Sequence, residues 1–350
     1  MRLKAKFNFT TLLYIALIGA FAYWVYRFRG QIADIFDVIQ QGIWYFVLGT
    51  VLVLVGAIYN QATWYASIYR ILELPSEASE LLPVVLVRRF VTVAAPSGGF
   101  SGWVPFIQFA RKRDIAVGAV FMANLIYTVL WYSTFLLFLL VGLATLFVKH
   151  DLQWFEISAA LVMLAADLVM IALLIFAWVA PHLLDAFLGW TSRALKTAFG
   201  WIKRASPISE RQFNTFATDL KDAVYQMKRV GAGRLIEPFG HAFLNETLHI
   251  VMFYLVALAF NVRLTFGVLV AAYSISVLFF VVSPTPGGLG FVEGTLILVL
   301  TTLGVPADSS TVITLAYRGI TFWLPFVLGF AALRWFNRHP ETGEAQSPSG

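Results

Sequence analysis

Apolar residues run through this chain in long blocks, separated by short polar segments. Six blocks, at about 11–26, 43–69, 115–148, 155–180, 235–260 and 309–336, carry few or no charges. Each is read as a membrane-crossing helix, which takes about 20 residues, the first block being the shortest. Two further apolar regions are interrupted. The first, 81–112, breaks at Pro96-Ser97-Gly98-Gly99, and the second, 266–304, breaks at Pro284-Thr285-Pro286-Gly287-Gly288-Leu289-Gly290. Helix breakers at membrane depth open backbone groups that lipid cannot satisfy, so protein or a wet cavity must cover them. In the first region Val84–Ala95 gives about 18 Å of helix, which predicts a half-helix that enters, turns and returns. In the second, Thr265–Ser283 reaches about 28 Å, so re-entrant and fully crossing arms are both open.

The pattern predicts an all-α, polytopic membrane protein with about six full spans and two Gly/Pro-broken hairpins. Residues 1–336 form the transmembrane domain. Within it, 182–233 is a cytoplasmic amphipathic connection, with Leu183, Phe187, Trp190, Ala194, Ala198 and Trp201 at helical spacing. It reads equally as a helix at the inner interface or as a plain connector. The tail 337–350 is expected to be disordered.

Composition agrees. Hydrophobic residues make up 59%, charged residues 13%, and the mean hydropathy is +0.78, against roughly 25% charged in a soluble domain. The 350 residues leave no room for an added soluble catalytic domain. With no cysteine, disulfides, thiolate metal sites and cysteine nucleophiles are excluded. The basic residues near Met1 imitate a signal peptide, but Tyr23-Trp24-Val25-Tyr26 with no small-residue cleavage site reads as a retained first span.

Charge placement orients the chain. With the N-terminus inside and both broken regions treated as hairpins, 20 of the 25 Lys and Arg fall on the cytoplasmic side, as the positive-inside rule requires. Both termini are then cytoplasmic, in a bacterial inner membrane. Span, hairpin, span is followed by the same plan with opposite orientation, an inverted repeat. Gly/Pro-broken segments at matching places in two halves point to a transport site.

Ionisable residues inside spans cost at least about 2.5–3.5 kcal/mol each on insertion scales, so they are the candidates for chemistry. They are Arg88 and Arg89 in the first hairpin, Asp167, Glu246, Glu293 after the second turn, and Arg318. The turn glycines Gly98, Gly99, Gly287, Gly288 and Gly290 complete the candidate set for lipid binding or transport. Plainer readings stand beside each. Asp167 fits a helix–helix hydrogen bond, the two arginines fit side chains that snorkel to the surface, and Glu293 with Arg318 fits a structural ion pair. Glu246-Thr-Leu-His249 has the Glu-x-x-His spacing of di-iron bundles but lacks the second copy such sites need. No metal, cofactor or catalytic residue is expected, nor any nucleic-acid partner. Nucleotide-loop, zinc-protease and hydrolase motifs are absent from the sequence.

Ser283-Pro-Thr-Pro-Gly-Gly-Leu-Gly-Phe-Val-Glu293, Leu303-Gly-Val-Pro306 and Tyr317-Arg318-Gly-Ile-Thr-Phe-Trp-Leu-Pro325 resemble the C-terminal signature of the lysylphosphatidylglycerol synthase transmembrane-region family. This is the flippase-like module also found in the N-terminal half of multiple peptide resistance factors. Gly287, Gly288, Gly290, Glu293 and Arg318 match it position by position. The first half departs from the family pattern. Pro96-Ser-Gly-Gly-Phe-Ser-Gly102 and Ala123-Asn124 stand where the family often has a Pro-x-Arg-x-Gly-Glu turn and a Glu-Arg pair. The resemblance implies binding or translocation of an anionic lipid, a phospholipid or a polyprenyl-phosphate lipid. It does not imply lysyl transfer, which belongs to a separate soluble domain. The alternatives are a membrane-embedded transferase on a lipid-linked substrate and a non-transporting assembly partner.

Overall fold

A computed structural model describes residues 19, 23, 26, 29–94, 100–148, 154–179, 189–191, 193, 210–283 and 285–338. Among these residues every regular element is helical. The first predicted span, 11–26, the amphipathic stretch 182–204, the tail 337–350 beyond Arg338 and the turn residues Gly98 and Gly99 lie wholly or mostly outside them.

After α1 (Arg29–Gln41) comes α2 (Trp44–Ile71), then a hairpin of α3 (Ala78–Ala94) and α4 (Val104–Lys112), then α5 (Val117–Val148). Helix α6 (Trp154–Val179) and α7 (Glu210–Val230) follow. The second set repeats the first: α8 (Ile236–Ala259), a hairpin of α9 (Phe266–Val282) and α10 (Phe291–Thr302), then α11 (Ala307–Arg318) and α12 (Leu324–Arg338). Helices α11 and α12 are continuous through a π-turn at Gly319–Trp323. Helices α2, α5, α6, α8 and the α11–α12 unit are each long and apolar enough to cross a membrane.

The first hairpin differs from the half-helix expected. Its leading arm starts at Ala78, ahead of Pro83, and has 17 residues, as many as α9. At 1.5 Å per residue both arms are about 26 Å long. The two hairpins are therefore alike, each with a long leading arm and a short return.

The halves meet through a two-fold pattern of contacts. Helix α2 packs on its counterpart α8, α3 packs on α12, and α9 packs on α5. Each pair is antiparallel. Along α2 and α8, the Ile43 N–H donates to Ala259 O (2.9 Å), the Asn60 amide donates to His241 O (3.0 Å), and Arg70 pairs with Glu237. This is the geometry of an inverted repeat. Late in each third helix a glycine permits the crossing. A Cβ on Gly142 would lie 3.2 Å from Ala271 Cα and Ser274 Cβ; one on Gly329 would lie 2.4 Å from Leu86 O. Close helix approach over small residues is the usual device where lipid gives no hydrophobic drive to associate.

Large side chains bury where the halves interlock, among them Trp64, Tyr65, Phe90, Phe106, Phe135 and Phe253. Helix α6 stands outside the repeat. Its outer face exposes Leu161, Val162, Leu168, Val169, Leu173 and Val179, which is tolerable only against lipid. Salt bridges Arg70–Glu237, Arg229–Glu73 and Arg113–Glu80 tie α2, α7, α8 and the first hairpin at one end of the bundle.

Candidate functional site

The leading arms of both hairpins, with α2, α5, α8 and the α11–α12 unit, enclose a cavity of about 260 Å³. Arg88, Arg89, Glu246, Gly287 and Arg318 line it. Five of the residues picked out in sequence thus converge from four separate segments.

Arg88 and Arg89 are half-buried and do not snorkel outwards. Consecutive residues on a helix point about 100° apart, and a relay joins the two. Arg89 Nε–H donates to Gln61 Oε1 (3.0 Å). Arginine only donates, so Gln61 must turn its oxygen to Arg89 and its amide to Tyr127. That amide donates to Tyr127 Oη (2.5 Å), and so does Arg88 Nη1 (3.2 Å). The Arg88 guanidinium also lies over the Tyr127 ring, 4.4 Å from its centroid. Tyr65, stacked on Tyr127 at 4.3 Å, donates to Asn124 Oδ1. Neither arginine has a carboxylate within 4 Å among the described residues. A Cβ on Gly102 would strike Thr92 Oγ1 at 2.5 Å and Arg88 Cγ at 2.9 Å. The turn of the first hairpin therefore rests directly on Arg88.

Arg318 is held differently. Its Nε–H donates to Glu293 Oε1 (2.7 Å), its Nη2 donates to Gly287 O (2.9 Å), and its guanidinium lies over Phe322 at 4.1 Å. Glu293 Oε2 accepts the N–H of Gly290 (2.7 Å), closing the N-terminus of α10, a placement that suits both the orphan N–H and the helix dipole. Gly287, Gly288 and Gly290 have φ of 63°, 70° and 78°, which glycine adopts without a Cβ penalty. Gly287 also leaves no room, since a Cβ there would meet the Phe322 ring at 2.7 Å and Val93 at 3.0 Å. Gly288 faces Val292, and Gly290 is exposed at the start of α10.

Glu246 is buried and accepts from Trp131 Nε1 (3.1 Å), Asn245 Nδ2 (3.1 Å) and Tyr273 Oη (2.6 Å). Asp167 is buried on α6, where Ser133 Oγ donates to it (3.0 Å); it does not line the cavity. No group of three or more His, Cys, Asp or Glu able to hold a metal occurs among the described residues. Sequence reasoning missed Gln61, Tyr127, Trp131, Tyr132 and Tyr273, all of which line the cavity. Only a polar Gln61 at mid-span offered a signal.

Two comparisons bear on identity. The family model described as "Lysylphosphatidylglycerol synthase TM region" matches residues 11–329. A UPF0104 membrane protein from Methanothermobacter thermautotrophicus (strain Delta H) is 32% identical over 95 residues, covering 27% of this chain and 28% of that protein. No solved structure matches the chain.

Proposed function

Because the chain belongs to the lysylphosphatidylglycerol synthase TM region family, a family of multi-pass membrane proteins named for lipid chemistry, we propose that it binds an anionic lipid headgroup in the central cavity and carries it across the cytoplasmic membrane. One observation supports this above the others: Arg88 and Arg89 face a shared cavity with no carboxylate within 4 Å of either among the described residues. Two uncompensated cations at membrane depth need an anion. Guanidinium N–H groups fit phosphate oxygens in pairs. Tyr127 adds a third donor, because its hydroxyl oxygen accepts twice while its own proton meets no acceptor among the described residues. The inverted repeat supplies the frame for alternating access, with the site where the two halves meet. Arg318 and Glu293, already paired, hold the second hairpin against this site.

The test is lipid mass spectrometry on the purified protein. Arg88→Gln with Arg89→Gln should reduce co-purified anionic lipid while the protein still inserts and folds. The double Lys variant should lose part of it, keeping charge but not the fork. Wild-type lipid content in the Gln variant would overturn the reading. A chemical change in the lipid's mass on incubation would favour a transferase instead.

A further inference from the structure

Asp167 lies at the middle of α6, away from the cavity. Ala160, Met163 and Asp167 are buried along one stripe of that helix, and Met170 and Leu174 continue it partly buried. Leu161, Leu164 and Leu168 stay exposed on its other sides. The stripe packs on α5 and α9, and Asp167 is its one polar member. Ser133 Oγ donates to Asp167 Oδ2 (3.0 Å), while Oδ1 is buried with no partner among the described residues. No Lys, Arg or His comes within 4 Å of this carboxyl among those residues. Glu246 sets the contrast, with three donors around its carboxylate.

The neighbouring elements offer no countercharge. The titratable groups of α5 are Tyr127, turned to Arg88, and Tyr132. Helix α9 has only Tyr273, engaged with Glu246. Helix α7 carries Arg211, Lys221, Lys228 and Arg229 beside its acids and Tyr225, and none of these cations pairs with Asp167. The other acid of α6, Glu156, lies about three turns away. Burial among apolar groups disfavours the charged form of an acid, and one hydroxyl donor leaves a carboxylate here largely unsatisfied. A metal cation needs several oxygen ligands, whereas a proton needs one.

Three consecutive residues of α5 join this seam to the cavity. Trp131 donates to Glu246, Tyr132 lines the cavity, and Ser133 donates to Asp167. Tyr132 lies within electrostatic reach of both Arg88 and Asp167. We propose that Asp167 is a proton-binding site outside the lipid cavity, and that its loading and release drive the alternating-access cycle. This rests on the anionic-lipid reading above. In the conformation of this structure the carboxyl is occluded and holds its proton. A second conformation brings water to the α5–α6 seam, where the carboxyl passes the proton to water and the carboxylate left behind is hydrated. Protonation of Asp167 and occupancy of the cavity bias one equilibrium, so each affects the other.

The experiment uses the full chain in nanodiscs of phosphatidylcholine and phosphatidylglycerol, treated with dicyclohexylcarbodiimide. This apolar reagent adds to protonated carboxyl groups, and peptide mass spectrometry maps the adduct over a pH series. Wild type should be modified at Asp167 at neutral pH. Asp167→Asn should lose that adduct. Ser133→Ala removes the donor to the carboxylate, so its labelling should persist to higher pH than in wild type; it also covers a folding failure of the Asn variant. In proteoliposomes, a gradient of about one pH unit should skew fluorescent phosphatidylglycerol between the leaflets by about tenfold, the ratio set by one proton per lipid. Asp167→Asn should bring that ratio to one while binding as much anionic lipid as wild type. No adduct on Asp167 at neutral pH, no skew in wild type, or an equal skew in the Asn variant overturns the proposal. Failure of the lipid reading looks different: Arg88→Gln with Arg89→Gln would leave bound anionic lipid as in wild type, with Asp167 still labelled.

Discussion

Arg318 donates to Glu293 across 2.7 Å, and each side chain is only 7% exposed. The same arginine reaches the carbonyl of Gly287, while the same glutamate caps α10 at Gly290. One ion pair therefore fixes the glycine turn, the short arm of the hairpin and the last span together. Removing one partner of such a buried pair strands a charge and costs about 3–5 kcal/mol. Glu293→Gln should lower the thermal unfolding temperature in detergent clearly. Arg70→Gln, which breaks the exposed pair with Glu237, should shift it little, since exposed pairs contribute about 0–1 kcal/mol. Equal shifts would mean the buried pair is not structural.

The turn itself can be tested through two glycines with positive φ. Gly287 (φ 63°) is hemmed in by Phe322 and Val93, whereas Gly304 (φ 92°) has open space for a Cβ. Alanine at either position carries the left-handed penalty of about 1–2 kcal/mol. Only Gly287→Ala must also displace Phe322, the ring beneath Arg318. It should lose more stability and more bound lipid than Gly304→Ala. Matching losses in both would show that the turn does not shape the cavity.

The helix crossings make a second packing prediction. Gly329→Ala drives a Cβ into the backbone of α3, whereas Gly142→Ala needs its neighbours to give by only a few tenths of an ångström. Gly56 has nothing within 4 Å. Fluorescence-detected size-exclusion profiles should degrade in the order Gly329→Ala, Gly142→Ala, Gly56→Ala. A monodisperse Gly329→Ala protein at wild-type yield would argue against the close α3–α12 crossing.

Orientation is testable without background, because the chain has no cysteine. Glu77→Cys, before the first hairpin, and Arg263→Cys, before the second, should react from opposite faces of the membrane. The positive-inside distribution places Glu77 in the cytoplasm. Labelling of both sites from one face would break the inverted repeat; exchange of the two faces would only reverse its orientation.

Reading from sequence reached the element types and the positions of the breaks, because both are local. Twenty apolar residues in a row, or three glycines behind two prolines, mean the same thing whatever surrounds them. Arg318 with Glu293 was legible as a pair because opposite charges at membrane depth each need a partner. The length of α3 was not legible. Reading from sequence began this arm at Val84, just after Pro83, yet the helix begins six residues earlier at Ala78. Tyr127 was equally hidden. In a chain with 13 tyrosines and 11 tryptophans, an aromatic residue inside a span reads as packing or as an interfacial belt.

By itself, then, the sequence determined that this chain is helical, that it lives in a membrane, where its backbone breaks, and which charges must be accounted for. Tertiary structure decided which of those charges stay uncompensated. Arg88 and Arg318 look alike in sequence, each a cation in an otherwise apolar run, Arg88 with Arg89 beside it. Glu293, 25 residues away in the chain, neutralises Arg318, whereas the hydrogen-bond and ring partners of Arg88 among the described residues are Tyr127 and Tyr65, beside the cavity. An ion pair acts over a few ångströms, and which groups come that close depends on how the two halves interlock, so only the folded chain separates the arginine held by a carboxylate from those with none within 4 Å among the described residues.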